Sequence, residues 1–133
     1  MICIVMSHYQ KQECGELEDE DLVCKALEDM KIKVERGTDL TVKNAWDSKN
    51  NISIKIPRNS GAGNHYEAGF AKNTNGKLEL VKDGMDGALN KDFVNRLKQH
   101  YQKRKAMKLA RAKGLTLQSQ KMVGKKVQLV YSV

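Results

Sequence analysis

The chain is poor in the residues that build extended aromatic surfaces. Its 133 residues include one tryptophan and two phenylalanines. So few rings exclude a long stacking platform of the kind that holds single-stranded nucleic acid base by base. Proline occurs once, and no repeat, low-complexity segment or linker divides the sequence. The length therefore predicts one compact domain over residues 1–133, large enough to bury a core without metals or disulfides.

Cysteines and long apolar runs are also scarce. Cys3, Cys14 and Cys24 form no CxxC pair, and their odd number leaves a thiol unpaired in any disulfide scheme. The apolar run at residues 2–6 has no basic flank before it and is too short for a secretory signal core or a membrane span. These features predict a protein of the reducing cytoplasm, without export or membrane insertion.

Histidine offers no local metal motif. His8, His65 and His100 are the only histidines, and their separation excludes two ligands one helical turn apart. The sequence also contains no Ser-centred elbow, Cys-His signature, P-loop or paired acidic motif. We therefore expect no metal site, no cofactor and no catalytic set. We interpret His8 as a structural histidine and His100 as part of the packing or of the cationic face of the helix that contains it.

Positive charge is abundant but unevenly distributed. The formal net charge is +8, yet residues 13–29 hold eight of the sixteen acids and a single lysine. Residues 91–113 hold nine cations and one acid. A surface of one sign attracts anions such as phosphate or an acidic partner, although an ordinary solvated helix face would explain these cations equally well.

The segment 91–113 is predicted to form a long helix whose apolar stripe continues into cations. The stripe consists of Phe93, Val94, Leu97 and Tyr101. At helical spacing the same face then carries Arg104, Lys108 and Arg111. Either the buried side of the helix rotates toward Met107 and Ala110, or part of the stripe faces an anionic ligand.

Hydrophobic periodicity predicts an α+β fold. Residues 22–30 form an amphipathic pattern with acids at the positive end of the helix dipole. The predicted strands are 2–6, 52–56, a hairpin of 66–71 with 77–82, and a hairpin of 115–119 with 127–131. Residues 32–34 and 40–42 fit either two short strands or one interrupted strand. We expect an antiparallel sheet with the two main helices packed on one face and a C-terminal β-hairpin after Gly114.

Several short motifs carry a resemblance to a known family. They are Met6-Ser7-His8-Tyr9, Tyr66-Glu67-Ala68-Gly69-Phe70, Gly76-Lys77-Leu78-Glu79-Leu80-Val81, residues 93–97, Gln99-His100-Tyr101 and Gly114-Leu115. Together they make the chain similar to the hypothetical chloroplast reading frame thirty-five family, found in plastids, cyanobacteria, bacteria and phages. The family usually opens at Met-Ser-His, whereas five residues precede that motif here. The resemblance implies a soluble small domain, and it implies no substrate because the family has no established function.

The glycine-containing segment 57–66 is predicted to approach an anion. Gly61 and Gly63 allow backbone N–H groups close to a ligand, Arg58 can pair with phosphate, and Tyr66 can stack on a base beside His65. The segment lacks a complete Rossmann or P-loop fingerprint, and an ordinary flexible connection explains it as well. Its interest comes from its addition to the basic helix.

The leading hypothesis is a non-catalytic binding protein for a phosphate-bearing ligand. That ligand is either a small nucleotide, which in a phage would be a sequestered host signal, or nucleic acid. The residues expected to bind it are Arg58, Gly61, Gly63, His65, Tyr66, Tyr101, Arg104, Lys108 and Arg111.

Two alternatives remain open. The first is a protein-interaction module or homo-oligomer, in which the acidic helix of one copy meets the basic helix of another. The second is a small hydrolase or nuclease, with His8 or His65 as a base and with Lys72 or Arg104 stabilising the transition state.

Overall fold

The fold is α+β, as predicted from the periodicity. The computed structural model describes residues 9–114, 116–123 and 126–132. The predicted strand at residues 2–6 and His8 lie outside the described residues. The elements are β1 (Tyr9–Glu13), α1 (Glu20–Asp29), β2 (Glu35–Lys43), β3 (Ser48–Ile56), β4 (Ala68–Lys72), β5 (Leu78–Asp83), α2 (Lys91–Ala112), β6 (Thr116–Val123) and β7 (Lys126–Ser132).

Five strands form one antiparallel sheet in the order β1-β5-β4-β3-β2, and β6 pairs with β7 in a separate sheet. The predicted hairpin of β4 and β5 is confirmed, with Gly76 at a φ of 78° in its turn. The predicted C-terminal hairpin is confirmed by the antiparallel pairing of β6 and β7. Of the two alternatives for residues 32–42, two short strands or one interrupted strand, the structure has the single strand β2, which begins after residues 32–34 and shifts its register to β3 at Leu40.

Both helices pack on the same face of the sheet. They share one core with the inward side chains of β3, β4 and β5. The helical residues of that core are Leu22, Val23, Ala26, Leu27, Phe93, Val94, Leu97 and Tyr101. The predicted amphipathic faces of both helices are therefore buried against the sheet.

The helix ends follow local capping chemistry. Asp19 caps α1 by accepting a hydrogen bond from Leu22 N at 3.2 Å, and Asn90 caps α2 by accepting one from Phe93 N at 3.0 Å. Gly114 follows α2 with a φ of 72°, which confirms its predicted place at the C-terminal end. Neither described helix is both long and apolar enough to cross a lipid bilayer.

The tip of the β2–β3 hairpin reaches the opposite edge of the sheet. Tyr9 N, in the edge strand β1, donates a hydrogen bond to Asp47 Oδ2 at 2.9 Å, and Asn44 in the same tip donates one to Asp83. Beneath this link lies a second apolar cluster, made of Tyr9, Val42, Ile52 and Val81. The hairpin therefore covers part of the sheet face that the helices leave free.

Candidate functional site

The arginine that continues the apolar stripe of α2 meets a carboxylate of α1. Arg104 Nε lies 2.7 Å from Asp29 Oδ2, and Arg104 Nη2 lies 2.6 Å from Asp29 Oδ1. Two parallel charge-assisted hydrogen bonds are the strong form of this interaction. They hold the pKa of Asp29 below its usual value. Arg104 thus has an anionic partner within its own chain.

The remaining positions of the stripe divide between packing and charge. Ala110 is buried, so the apolar side of α2 does rotate in its last turns. Lys108 Nζ lies 3.2 Å from Asp19 Oδ2, and its side chain is 65% exposed. The chain itself therefore accounts for much of the stripe, because packing moves to Ala110 and Arg104 and Lys108 contact carboxylates of α1 and its cap. The alternative, an anionic ligand on this face, stays a prediction.

A groove of about 500 Å³ lies between α1 and α2 beside these ion pairs. We call it the cationic groove because its lining carries four cations and one acid. The charged lining residues are Lys25, Arg104, Lys108, Arg111 and Asp21. Asp21 is itself paired with Arg36. The structure therefore brings together three predicted site residues, namely Arg104, Lys108 and Arg111.

Lys25 and Arg111 are the most available cations of the groove. Both are exposed, and neither forms an ion pair with any residue in the described part of the chain. Lys25 was not among the predicted site residues. Its own segment carries no signal for the groove, because its spacing of one helical turn from Asp21 indicates an ion pair within α1 rather than a place beside α2.

The predicted anion loop, residues 57–66, holds a carboxylate of the chain itself. His65 N and Tyr66 N donate hydrogen bonds to Asp86 Oδ2 at 2.9 and 3.1 Å. Ala88 N donates to Asp86 Oδ1 at 3.2 Å. Asp86 is 3% exposed, and these donors satisfy its buried charge. The backbone of this loop thus binds an anion, but the anion is internal.

The glycines of this loop have structural explanations. Gly61 has a φ of 111°, and a Cβ there would overlap the carbonyl oxygen of Lys31, so its close approach is to the chain's own backbone. Gly63 has a φ of 72°. Arg58 and His65 are exposed and Tyr66 is half-buried. In the described part of the chain, no residue of this loop lines the cationic groove.

Tyr101 is a core residue. Its side chain is 2% exposed, and its hydroxyl oxygen accepts hydrogen bonds from Glu18 N and Asp19 N, each at 3.3 Å. Its ring is therefore not available for stacking on a base. The hydroxyl instead fixes the start of α1 against α2, which places Asp19 near Lys108.

The comparisons with known proteins give a family. The model of the family described as "Protein of unknown function (DUF1257)" matches residues 26–130. The chain belongs to the DUF1257 family. No curated protein and no solved structure matches it. The match confirms a conserved small domain of unknown function, and it leaves the activity open.

The DUF1257 match divides the cationic groove. Arg104, Lys108 and Arg111 on α2 lie within the matched region, whereas Asp21 and Lys25 on α1 precede it. Among the residues that the structure describes, no group of three His, Cys, Asp or Glu side chains could hold a metal ion. The cationic groove of this DUF1257 chain is a concave surface whose lining carries more positive than negative charge.

Proposed function

We propose that this DUF1257 chain binds a phosphate-bearing ligand, a small nucleotide or nucleic acid, in the cationic groove. The observation that supports the proposal is the composition of the lining, four cations against one acid that is already paired. Exposed cations at the rim of a concave surface attract phosphate and can form charge-assisted hydrogen bonds with it.

The four cations of the groove have different roles in ligand binding. Lys25 and Arg111 supply the charge that no described carboxylate neutralises. Arg104 is held by Asp29 and joins the two helices at the lining of the groove. Lys108 can turn from Asp19 toward a ligand, because ion pairs this exposed contribute little to stability.

The test is to titrate the protein with inorganic phosphate and with a short single-stranded oligonucleotide. Calorimetry measures the affinity, and amide chemical shifts locate the bound probe. We expect both probes to shift amides of α1 and α2. The double variant Lys25→Gln/Arg111→Gln should weaken binding at least about tenfold, since a charge-assisted hydrogen bond contributes on the order of 1.5–3 kcal/mol. Binding of phosphate alone would assign the groove to small ligands.

The matched control removes two positive charges outside the cationic groove. Lys33→Gln/Lys49→Gln changes two lysines, both exposed and both outside the groove lining. We expect this variant to bind like the unmodified chain. An equal loss in both double variants would show that net charge, rather than the groove, determines binding, and would contradict the proposal.

A second candidate function is a protein-interaction module or homo-oligomer. The acids and bases predicted to meet between two copies already pair within one chain, as Arg104 does with Asp29. A surface formed by two exposed apolar side chains favours this candidate, since Trp46 is 62% exposed and Met85 is 64% exposed. Asp83 links the loops that carry them, because its carboxylate accepts hydrogen bonds from Asn44 and from Met85 N. Sedimentation of the unmodified chain and of the variant Trp46→Ser over a range of concentrations tests self-association. If the unmodified chain stays monomeric at every concentration, the homo-oligomer is ruled out.

Two finer assignments also belong to our proposals. We infer that the chain is a divergent member of the hypothetical chloroplast reading frame thirty-five family, from the motifs given above. We also infer a cytoplasmic location, supported by the free thiols of Cys14 and Cys24. Fractionation of cells that produce the protein, with thiol labelling before lysis, tests the location.

A further inference from the structure

A second groove adjoins the cationic groove. Its volume is about 320 Å³, and it also lies between the first turns of α1 and the C-terminal half of α2. Leu22, Lys108 and Ala112 line both grooves. The two concave surfaces are therefore neighbours that share a boundary at Lys108.

The second groove has a different character, so we call it the neutral groove. Lys105 and Lys108 supply two positive charges to it, and Glu18 and Asp19 supply two negative charges. The charges in its lining therefore cancel. Leu109 adds an apolar side chain that is 54% exposed. A large exposed leucine beside a concave surface is an available contact for an apolar group.

Lys108, one of the three residues that line both grooves, forms an ion pair that solvent can reach. Lys108 Nζ lies 3.2 Å from Asp19 Oδ2, with the two side chains 65% and 33% exposed. Solvent screens such a pair, so a phosphate group can compete with Asp19 for Lys108. A ligand whose phosphate occupies the cationic groove can extend past Ala112, an exposed apolar residue that lines both grooves, toward Leu109.

From this arrangement we infer that the ligand is a phosphate monoester that carries an apolar group. Its phosphate binds Lys25, Lys108 and Arg111, and its apolar group packs on Leu109 and Ala112. This inference rests on the proposed function and adds the chemistry of the rest of the ligand. A nucleotide base and an alkyl chain share that chemistry, because each buries apolar surface when it leaves water.

Three probes with a common phosphate test the inference. They are ribose 5-phosphate, AMP and hexyl phosphate, titrated by calorimetry at low salt and at a pH above the second pKa of each. We expect AMP or hexyl phosphate to bind at least about tenfold more tightly than ribose 5-phosphate, since burial of an apolar group supplies this much. The tighter of the two identifies the apolar group as a base or as an alkyl chain.

The variant Leu109→Ser should bind AMP or hexyl phosphate no more tightly than ribose 5-phosphate. Its affinity for ribose 5-phosphate should equal that of the unmodified chain. Met85→Ser is the matched control, because Met85 is similarly exposed and lies outside both grooves. Equal affinities for all three probes, with no effect of Leu109→Ser, would overturn the inference and leave the proposed function standing. Failure of all three probes to bind would also overturn the inference, and failure of inorganic phosphate and the oligonucleotide as well would overturn the proposed function.

Discussion

Arg104 and Asp29 join the two helices through a two-point ion pair, with N–O distances of 2.7 and 2.6 Å. Asp29 is the last residue of α1, whose last turn contains no basic residue. A carboxylate at that end opposes the helix dipole. Arg104 therefore supplies from α2 the positive charge that the end of α1 lacks, and this explains why an arginine interrupts the apolar stripe.

We expect the loss of either partner to destabilise the fold. Arg104→Met and Asp29→Asn should each lower the free energy of unfolding by about 1–2 kcal/mol, because each leaves a half-buried group without its partner. A double-mutant cycle measured by urea denaturation should give a coupling of about 1 kcal/mol. The exposed pair of Arg96 and Asp92 is the control, with an expected coupling of about 0.3–0.5 kcal/mol. Equal couplings for the two pairs would contradict this assignment.

The same pair predicts a pH dependence of stability. The Arg104 guanidinium holds the pKa of Asp29 below its usual value, so the unfolded chain binds the proton more readily than the folded chain. The stabilisation is complete above the unfolded pKa of about 3.9 and is lost as the pH falls through the folded pKa. The difference in unfolding free energy between the unmodified chain and Asp29→Asn should therefore shrink on acidification. A difference that stays constant across that range would rule out this coupling.

Asp86 should determine the conformation of the loop at residues 57–66. Asp86→Ala removes the charged acceptor for His65 N and Tyr66 N, and both of these part-buried hydrogen bonds are lost. We expect a loss of about 2–3 kcal/mol in unfolding free energy and faster amide exchange at His65 and Tyr66. Asp92→Ala, at an exposed carboxylate, serves as the control and should leave the exchange of both amides unchanged. Unaltered exchange in Asp86→Ala would contradict the structural role given to Asp86.

Gly69 should resist any larger residue. A Cβ at this position would lie 2.5 Å from both Ile52 Cγ2 and the carbonyl oxygen of Ile54, inside the pairing of β3 and β4. Gly69→Ala should therefore cost about 1–3 kcal/mol through overpacking. Gly87→Ala is the matched control, since a Cβ there has no described heavy atom within 4 Å. Thermal melting of the two variants compares them, and equal melting temperatures would contradict the prediction.

The sequence predicts the elements whose signals are local. The amphipathic pattern before Met30 corresponds to α1, and the stripe from Phe93 to Tyr101 corresponds to α2. The Asn75-Gly76 pair correctly places the β4–β5 turn, because Gly76 adopts a positive φ that suits glycine. In each case a few neighbouring residues contain the whole signal.

The features that the sequence does not predict depend on residues that are far apart in the chain. Arg104 and Asp29 are separated by 75 positions, and no periodicity on either helix identifies the partner of the other. β1 has no alternating apolar pattern, since Tyr9 is its one buried residue. Lys25 belongs to the cationic groove through the packing of α1 on α2. Patterns within a segment indicate which face is buried, but not which residue on another segment will meet it.

The hydrogen bond from Tyr9 to Asp47 changes how the two outer strands can fray. In an open sheet each outer strand can detach alone, since it is bonded along one side only. Here the tip that extends from β2 is bonded to β1, across 38 positions of sequence. Peeling either strand away breaks a contact that the other also uses. The two margins of the sheet are thus expected to open as one cooperative unit, at a higher free energy than either margin alone.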